Sequence, residues 1–149
     1  DLAWSRGLGD VYKRQTGETL WLERLLWIGA NDGAAYRDRP LPLSVVDRNC
    51  VFRPAIIEGL DHAGIEWHCV FENGNIDATM AAVRADLAVS ASLSSMVQQG
   101  VTVLLEDSGL PPLPSFAVTL HVSPKAESPG ISELTAYLRR ESERQTGIQ

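Results

Sequence analysis

Two cysteines in 149 residues, Cys50 and Cys69, are too few for a disulfide framework, and such a chain is expected in a reducing, cytoplasmic compartment. No apolar run reaches the ~18–20 residues that a membrane-spanning helix needs, so no membrane partner is expected. Bases are scarce: 13 Lys and Arg stand against 19 Asp and Glu, a formal net charge of −6. With no Lys/Arg stripe, these residues lack the electrostatic footprint for gripping a phosphate backbone. Metal and hydrolase signatures are missing too. No C-x-x-C, H-x-E or H-E-x-x-H spacing occurs, and His68 and Cys69, adjacent on an expected strand, point to opposite faces. There is no G-x-S-x-G and no glycine-rich phosphate loop, so no catalytic set, metal or cofactor is expected. Length alone allows one domain with a sizeable core.

The first fifteen residues stand apart. Ser5–Gln15, SRGLGDVYKRQ, is similar, residue for residue, to the translation of a sequencing-library adapter with its transposon end. Residues 1–15 are therefore expected to be a non-native tail outside fold reasoning. The gene product proper would run from Thr16 without its own amino terminus. Leaving the tail out makes the chain one charge unit more acidic.

What is present is organised around Leu41–Arg53, LPLSVVDRNCVFR. Leu41 to Val46 reads as a strand buried on both faces, with β-branched Val45 and Val46. The polar turn Asp47-Arg48-Asn49-Cys50 follows, then a helix from about Val51 to Ala63 with Phe52, Ile56, Leu60 and Ala63 on one stripe. Pro54 in the first turn, and His62 and Gly64 at the end, are fitting terminal residues. Upstream, Thr19–Trp21 and Leu25–Ile28 read as short strands or a β-connection broken by Glu23-Arg24. Ile65–Glu72 alternates, with Ile65, Trp67, Cys69 and Phe71 facing one way and Glu66 and Glu72 on a solvated face. Asn73-Gly74-Asn75 turns into a helix over about 76–85, with Ile76, Met80 and Val83 inward, and Leu87–Ala91 reads as a third strand. This is the βαβ spacing of a parallel sheet. A short helix over 92–98, a strand over 101–105 and a stiff loop over 107–114 lead to a strand at Phe116–Val122. The last helix starts at Ser128 and Pro129, with Ile131, Leu134 and Leu138 on one face.

In an open α/β sheet, ligands bind beyond the carboxyl ends of the strands, where helix N-termini present N–H groups. Two turns qualify, Asp47–Cys50 and Asn73–Asn75, and a carboxylate ligand would meet oriented N–H groups there. Ser90 and Ser92 would add hydroxyls from the same rim. Cys50 at a helix start has some thiolate character in prospect but reads as a cleft-lining residue.

The segments LPLSVVDRNCVFR, LDHAGIEW, FENGNIDATMAAVRADLAVSAS and LPPLPSFAVTLHV, in that order and spacing, resemble the second half of the effector-binding domain of LysR-type transcriptional regulators. The resemblance implies an α/β fold of two Rossmann-like subdomains, the type 2 periplasmic-binding-protein-like architecture, with a small effector in the inter-subdomain cleft. It divides the chain into a connection from a missing first subdomain (16–40), a nearly complete second subdomain (41–105), a return to the first subdomain with the closing helix (106–145) and a tail (146–149). DNA would be bound only through an amino-terminal winged helix-turn-helix that is absent here, and the full-length protein would be a homodimer or homotetramer. Carried over by position, the turn Asp47, Arg48, Asn49, Cys50 would line the effector cleft with Phe52 and Arg53 close behind; Asn73, Gly74, Ser90 and Ser92 complete the expected effector-binding set from the reading of the strand ends. The effector is a small metabolite, anions among the candidates. Family members often show G-L-G and then a proline where this chain has Asp86-Leu87-Ala88 and Leu93-Ser94, which bears on how the third strand ends. Two other classes share the architecture: an extracytoplasmic solute-binding protein of a transporter, and an enzyme such as a prephenate dehydratase-like protein.

Overall fold

A computed structural model describes residues 17–45, 47–72, 75–123 and 128–146. The adapter-like tail, Asn73 and Gly74 lie outside the described residues. The elements, in order, are β1 (Glu18–Ala30), a 3-10 turn (Ala35–Arg37), β2 (Leu41–Val45), α1 (Arg53–His62), β3 (Trp67–Glu72), α2 (Ile76–Arg84), β4 (Ser90–Leu93), a 3-10 turn (Ser94–Met96), β5 (Val101–Val103), a 3-10 turn (Glu106–Ser108), β6 (Ser115–Leu120) and α3 (Pro129–Thr146). The chain forms two compact units, one of Glu23–Phe116 and one of residues up to Leu22 and from Ala117 onward.

In the Glu23–Phe116 unit, β2 and β3 pair in parallel, from Leu41↔Trp67 to Val45↔Glu72. Val89 adds a parallel rung on the other side of β2, through Ser44 N–H to Val89 O (2.8 Å) and Val89 N–H to Pro42 O (2.9 Å). β4 then runs antiparallel to β1, with Ile28↔Ser90 and Leu26↔Ser92, and β5 pairs antiparallel with β1 on its other edge. Two cores result. Leu25 and Trp27 of β1, Leu41, Leu43 and Val45 of β2, Ile56 and Leu60 of α1, Val89 and Leu110 form the larger. Ile28, of opposite parity on β1, meets Met80 and Val83 of α2 in the smaller. A strand buried on both faces cannot alternate, so β2 is buried from end to end.

Several sequence expectations are corrected here. Glu23-Arg24 does not break the first strand; β1 runs through it for 13 residues. The third strand is shifted, because Leu87 and Ala88 lie before it and the ladder with β1 extends to Leu93. It is also only briefly parallel, so the sheet is mixed. The expected helix over 92–98 is one 3-10 turn, and Ile76 is 41% exposed rather than inward. Helix starts fared better: Pro54 occupies the first turn of α1, and Gly64 takes φ +65 just past its end.

In the other unit, α3 is capped by Ser128, whose Oγ accepts from Ile131 N–H (3.3 Å). Its buried positions are Thr135 and Ser142, and the Ser142 hydroxyl donates to Leu20 O (2.6 Å). Ile131 and Leu134, expected on the inward face, are 37% and 58% exposed. The small polar side chains, not the apolar stripe, thus lie on the covered face of the helix. Arg139 binds Glu18 through Nε and Nη2 at 2.7–3.1 Å.

Candidate functional site

The parallel register of β2 and β3 sets the carboxyl ends of both strands side by side, Val45 against Glu72. The turn that follows β2 is shaped by Asp47, which accepts from Asn49 N–H with Oδ1 (2.8 Å) and from Cys50 N–H with its carbonyl (3.1 Å). Arg53 N–H then donates to Cys50 O (3.1 Å), and Pro54 has no N–H to offer. The start of α1 thus keeps fewer donors for a ligand than a helix terminus normally presents.

Glu72 unites the turn and the edge strand. Its Oε2 takes a hydrogen bond from Arg53 Nη1 at 2.9 Å, and its Oε1 lies 3.9 Å from Arg48 Nε. The Arg53 side chain is 17% exposed and that of Arg48 is 88% exposed, so the first pair is fixed and the second is a solvent contact. Read from sequence as part of a solvated strand face, Glu72 accepts a hydrogen bond from Arg53 and pairs loosely with Arg48. A parallel register cannot be read from one strand's alternation, so no local signal marked it. Behind the turn, the Phe52 ring stands edge-on to Phe116, centroids 4.8 Å apart at 79°. This gives the rim an apolar, aromatic back.

The remaining expected residues fall differently. Arg48 and Asn49 are exposed, Asp47 and Cys50 half-buried. Beyond β3, Asn75 caps α2: its Oδ1 accepts from Asp77 N–H (2.8 Å) and Ala78 N–H (3.4 Å). Those first-turn donors are consequently used within the chain. Ser90 and Ser92 are buried in the sheet, 4% and 8% exposed, and the Ser92 hydroxyl donates to Leu93 O (3.3 Å). Glu23, expected with Arg24 to break the first strands, is a buried acceptor instead. Glu23 is 4% exposed, and its Oε2 accepts from Ser94 Oγ–H (2.6 Å) and Ser95 N–H (3.3 Å). This carboxylate sets the exit of β4 at the position where a proline is usual in the resembled family.

Elsewhere in the same unit, a half-open groove of about 560 Å³ lies between β1 and the 104–115 segment, with Leu26, Trp27, Leu104 and Pro111 in its walls. Trp27 Nε1–H donates to Pro111 O (2.7 Å), which ties the proline-rich loop to β1. None of the expected site residues lines this groove, and its charged groups are Arg24 and Glu106 alone. Among the described residues, no three His, Cys, Asp or Glu side chains gather as a metal site, and no helix is long and apolar enough to cross a membrane.

No family model matches the chain. The helix-turn-helix-type transcriptional regulator DgdR of Burkholderia cepacia is 26% identical over 117 residues, which cover 78% of this chain and 40% of DgdR. The chain therefore spans about two fifths of that relative's length. In structure it is similar to full-length HypT of Salmonella typhimurium, a hypochlorite-specific LysR-type transcriptional regulator, with TM-score 0.63 and 17% identity over 85% of this chain and 46% of HypT. It is also similar to the effector-binding domain of QuiR in complex with shikimate, with TM-score 0.61 and 16% identity over 86% of this chain and 65% of QuiR's. These neighbours share the type 2 periplasmic-binding-protein-like fold. Regulators supply the similarity in sequence and in fold alike, and the structural likeness shows the fold of a LysR-type effector-binding domain.

Proposed function

We propose that the chain is the effector-sensing portion of a LysR-type transcriptional regulator, not an enzyme, and that it binds a small metabolite against the rim built by the turn after β2. The observation that carries this is the convergence, through Glu72, of the Asp47–Arg53 turn with the carboxyl end of β3, backed by the Phe52–Phe116 pair. That is the place where α/β sheets take ligands, and a neighbour of the same fold was solved with shikimate bound. The effector contacts are assigned to Asp47, Arg48, Asn49, Cys50, Phe52 and Arg53, with Asn73, Gly74, Ser90 and Ser92 kept from the reading of the strand ends. The domain division stays as the resemblance has it, with 41–105 as the effector-binding subdomain. In the whole protein, a cytoplasmic homodimer or homotetramer, DNA would be held by an amino-terminal helix-turn-helix outside these 149 residues. The effector would act by favouring one of two arrangements of the domain.

The test has two arms. Reading the source DNA upstream of the codon for Thr16 is expected to reveal a winged helix-turn-helix in frame. A signal peptide or a catalytic domain there would overturn the regulator assignment. Thermal melting of the chain against a metabolite library is expected to show stabilisation by a small subset. That response should be lost in Asn49→Ala and Phe52→Ala; stabilisation unaffected by both substitutions would move the site elsewhere.

A further inference from the structure

We propose that Glu72 is the specificity-determining residue of this rim, and that it closes the rim to anions and leaves it to an uncharged polar molecule with an apolar body. The inference rests on the reading of this surface as the effector site and names the class of molecule it accepts.

An anion at the end of a parallel strand is recognised by cationic side chains and by free N–H groups at a helix start. Here both arginines and the N–H groups of Asn49, Cys50 and Arg53 face acceptors of the chain. Arg53, the less exposed of the two arginines, gives Nη1 to Glu72 Oε2 at 2.9 Å. Arg48 is drawn toward the other oxygen of the same carboxylate, at 3.9 Å. Asp47 takes the N–H groups of Asn49 and Cys50, Cys50 O takes that of Arg53, and Pro54 brings none. The neighbouring helix start is closed by Asn75 Oδ1. Asp47 and Glu72 balance Arg48 and Arg53, so the rim carries no net charge. To bind, an anion would have to displace Glu72 from Arg53 and leave that carboxylate beside its own charge. A neutral hydroxyl or amide meets no such penalty: it can donate to the carboxylate's remaining lone pairs and accept from Arg48. Its apolar part would lie on Phe52 and Phe116.

The experiment compares the wild-type chain with Glu72→Gln and with Glu72→Gln/Arg53→Gln. Melting and isothermal titration would be run against inorganic phosphate and against two matched pairs, benzoate with benzamide and succinate with succinamide, at constant ionic strength. The wild type is expected to ignore phosphate and both carboxylates. Glu72→Gln, which removes the carboxylate charge beside Arg53, is expected to gain affinity for the anions by about tenfold or more, and the double variant to lose that gain. Wild-type binding of phosphate or a carboxylate in preference to its amide overturns the proposal, as does a Glu72→Gln variant that gains nothing. Should Glu72→Gln fail to fold, the wild-type amide-against-carboxylate comparison decides alone, a carboxylate preference or the lack of any preference counting against the proposal. Failure of the underlying reading has a different signature: an amide or carboxylate response that survives Asn49→Ala and Phe52→Ala.

Discussion

Arg53 and Glu72, nineteen residues apart in sequence, meet at 2.9 Å beside the carboxyl ends of the parallel strands β2 and β3. The guanidinium is largely covered and the carboxylate about one third exposed, so the pair is intermediate between a surface and a buried ion pair. Removing one partner leaves the other short of a charge-assisted bond. Arg53→Ala and Glu72→Ala are each expected to cost about 1–2 kcal/mol in urea unfolding. A double-mutant cycle should return a coupling of about 0.5–1 kcal/mol that weakens in high salt. Strictly additive effects would show that the contact is not maintained in solution.

Asp86 sits at φ +54, a conformation non-glycine residues rarely adopt. Its carboxylate accepts from Ala34 N–H (2.9 Å) and Ala35 N–H (3.1 Å), joining the end of α2 to the 3-10 turn that follows β1. The aspartate thus stands where the resembled family favours glycine, and it offsets its backbone strain with two long-range hydrogen bonds. Asp86→Ala keeps the strain and loses both bonds, an expected cost of about 2–3 kcal/mol. Asp86→Gly, which loses the bonds but relieves the strain, should cost roughly 1 kcal/mol less than the alanine variant. Chemical denaturation in parallel checks the order, and a glycine variant less stable than the alanine one would contradict it.

Glu23 holds Ser94 and Ser95 through a single oxygen. Glu23→Ala would leave a part-buried hydroxyl and an amide without that acceptor, for an expected loss of about 2–3 kcal/mol. Ser94→Ala, which leaves the Ser95 N–H bond in place, should lose only about 1 kcal/mol. Hydrogen exchange at the Ser95 amide should quicken in Glu23→Ala and stay slow in Ser94→Ala. Equal rates in both variants would argue that the carboxylate does not hold that amide.

Glu18 and Arg139 form the corresponding pair in the other unit. The hydrogen bond from the Arg139 guanidinium holds the Glu18 carboxyl below its ordinary range, and the same contact raises Arg139. A depressed carboxyl stabilises the folded form above its unfolded value, about 4.3, and that contribution is lost as pH falls through the lower folded value. The contact of α3 with β1 is therefore expected to be insensitive between pH 7 and about 5 and to loosen in more acidic solution. Glu18→Gln should flatten this dependence when α3 is followed by amide exchange across the pH range. An unchanged acid profile in that variant would assign the loosening to other carboxylates.

By itself, the sequence determined the features that depend on near neighbours. Pro54 and Ser128 announce helix starts because only local donors are at stake, and Gly64 ends α1 because a left-handed residue there needs no Cβ. The continuous apolar run of β2 implied burial on both faces, and the order of the LysR-like segments implied the fold. Tertiary structure alone decided what depends on register and on which face meets what. In one dimension Glu72 looks like a solvent-facing acid and Glu23 like a strand break, yet one becomes the partner of Arg53 and the other an acceptor within the sheet. The covered face of α3 holds Thr135 and Ser142 instead of Ile131 and Leu134, with the Ser142 hydroxyl bonded to Leu20 O of β1. The charge balance of the rim is likewise a product of pairing, since the same arginines would read as an anion site until Glu72 is brought beside them by the parallel register of β2 and β3.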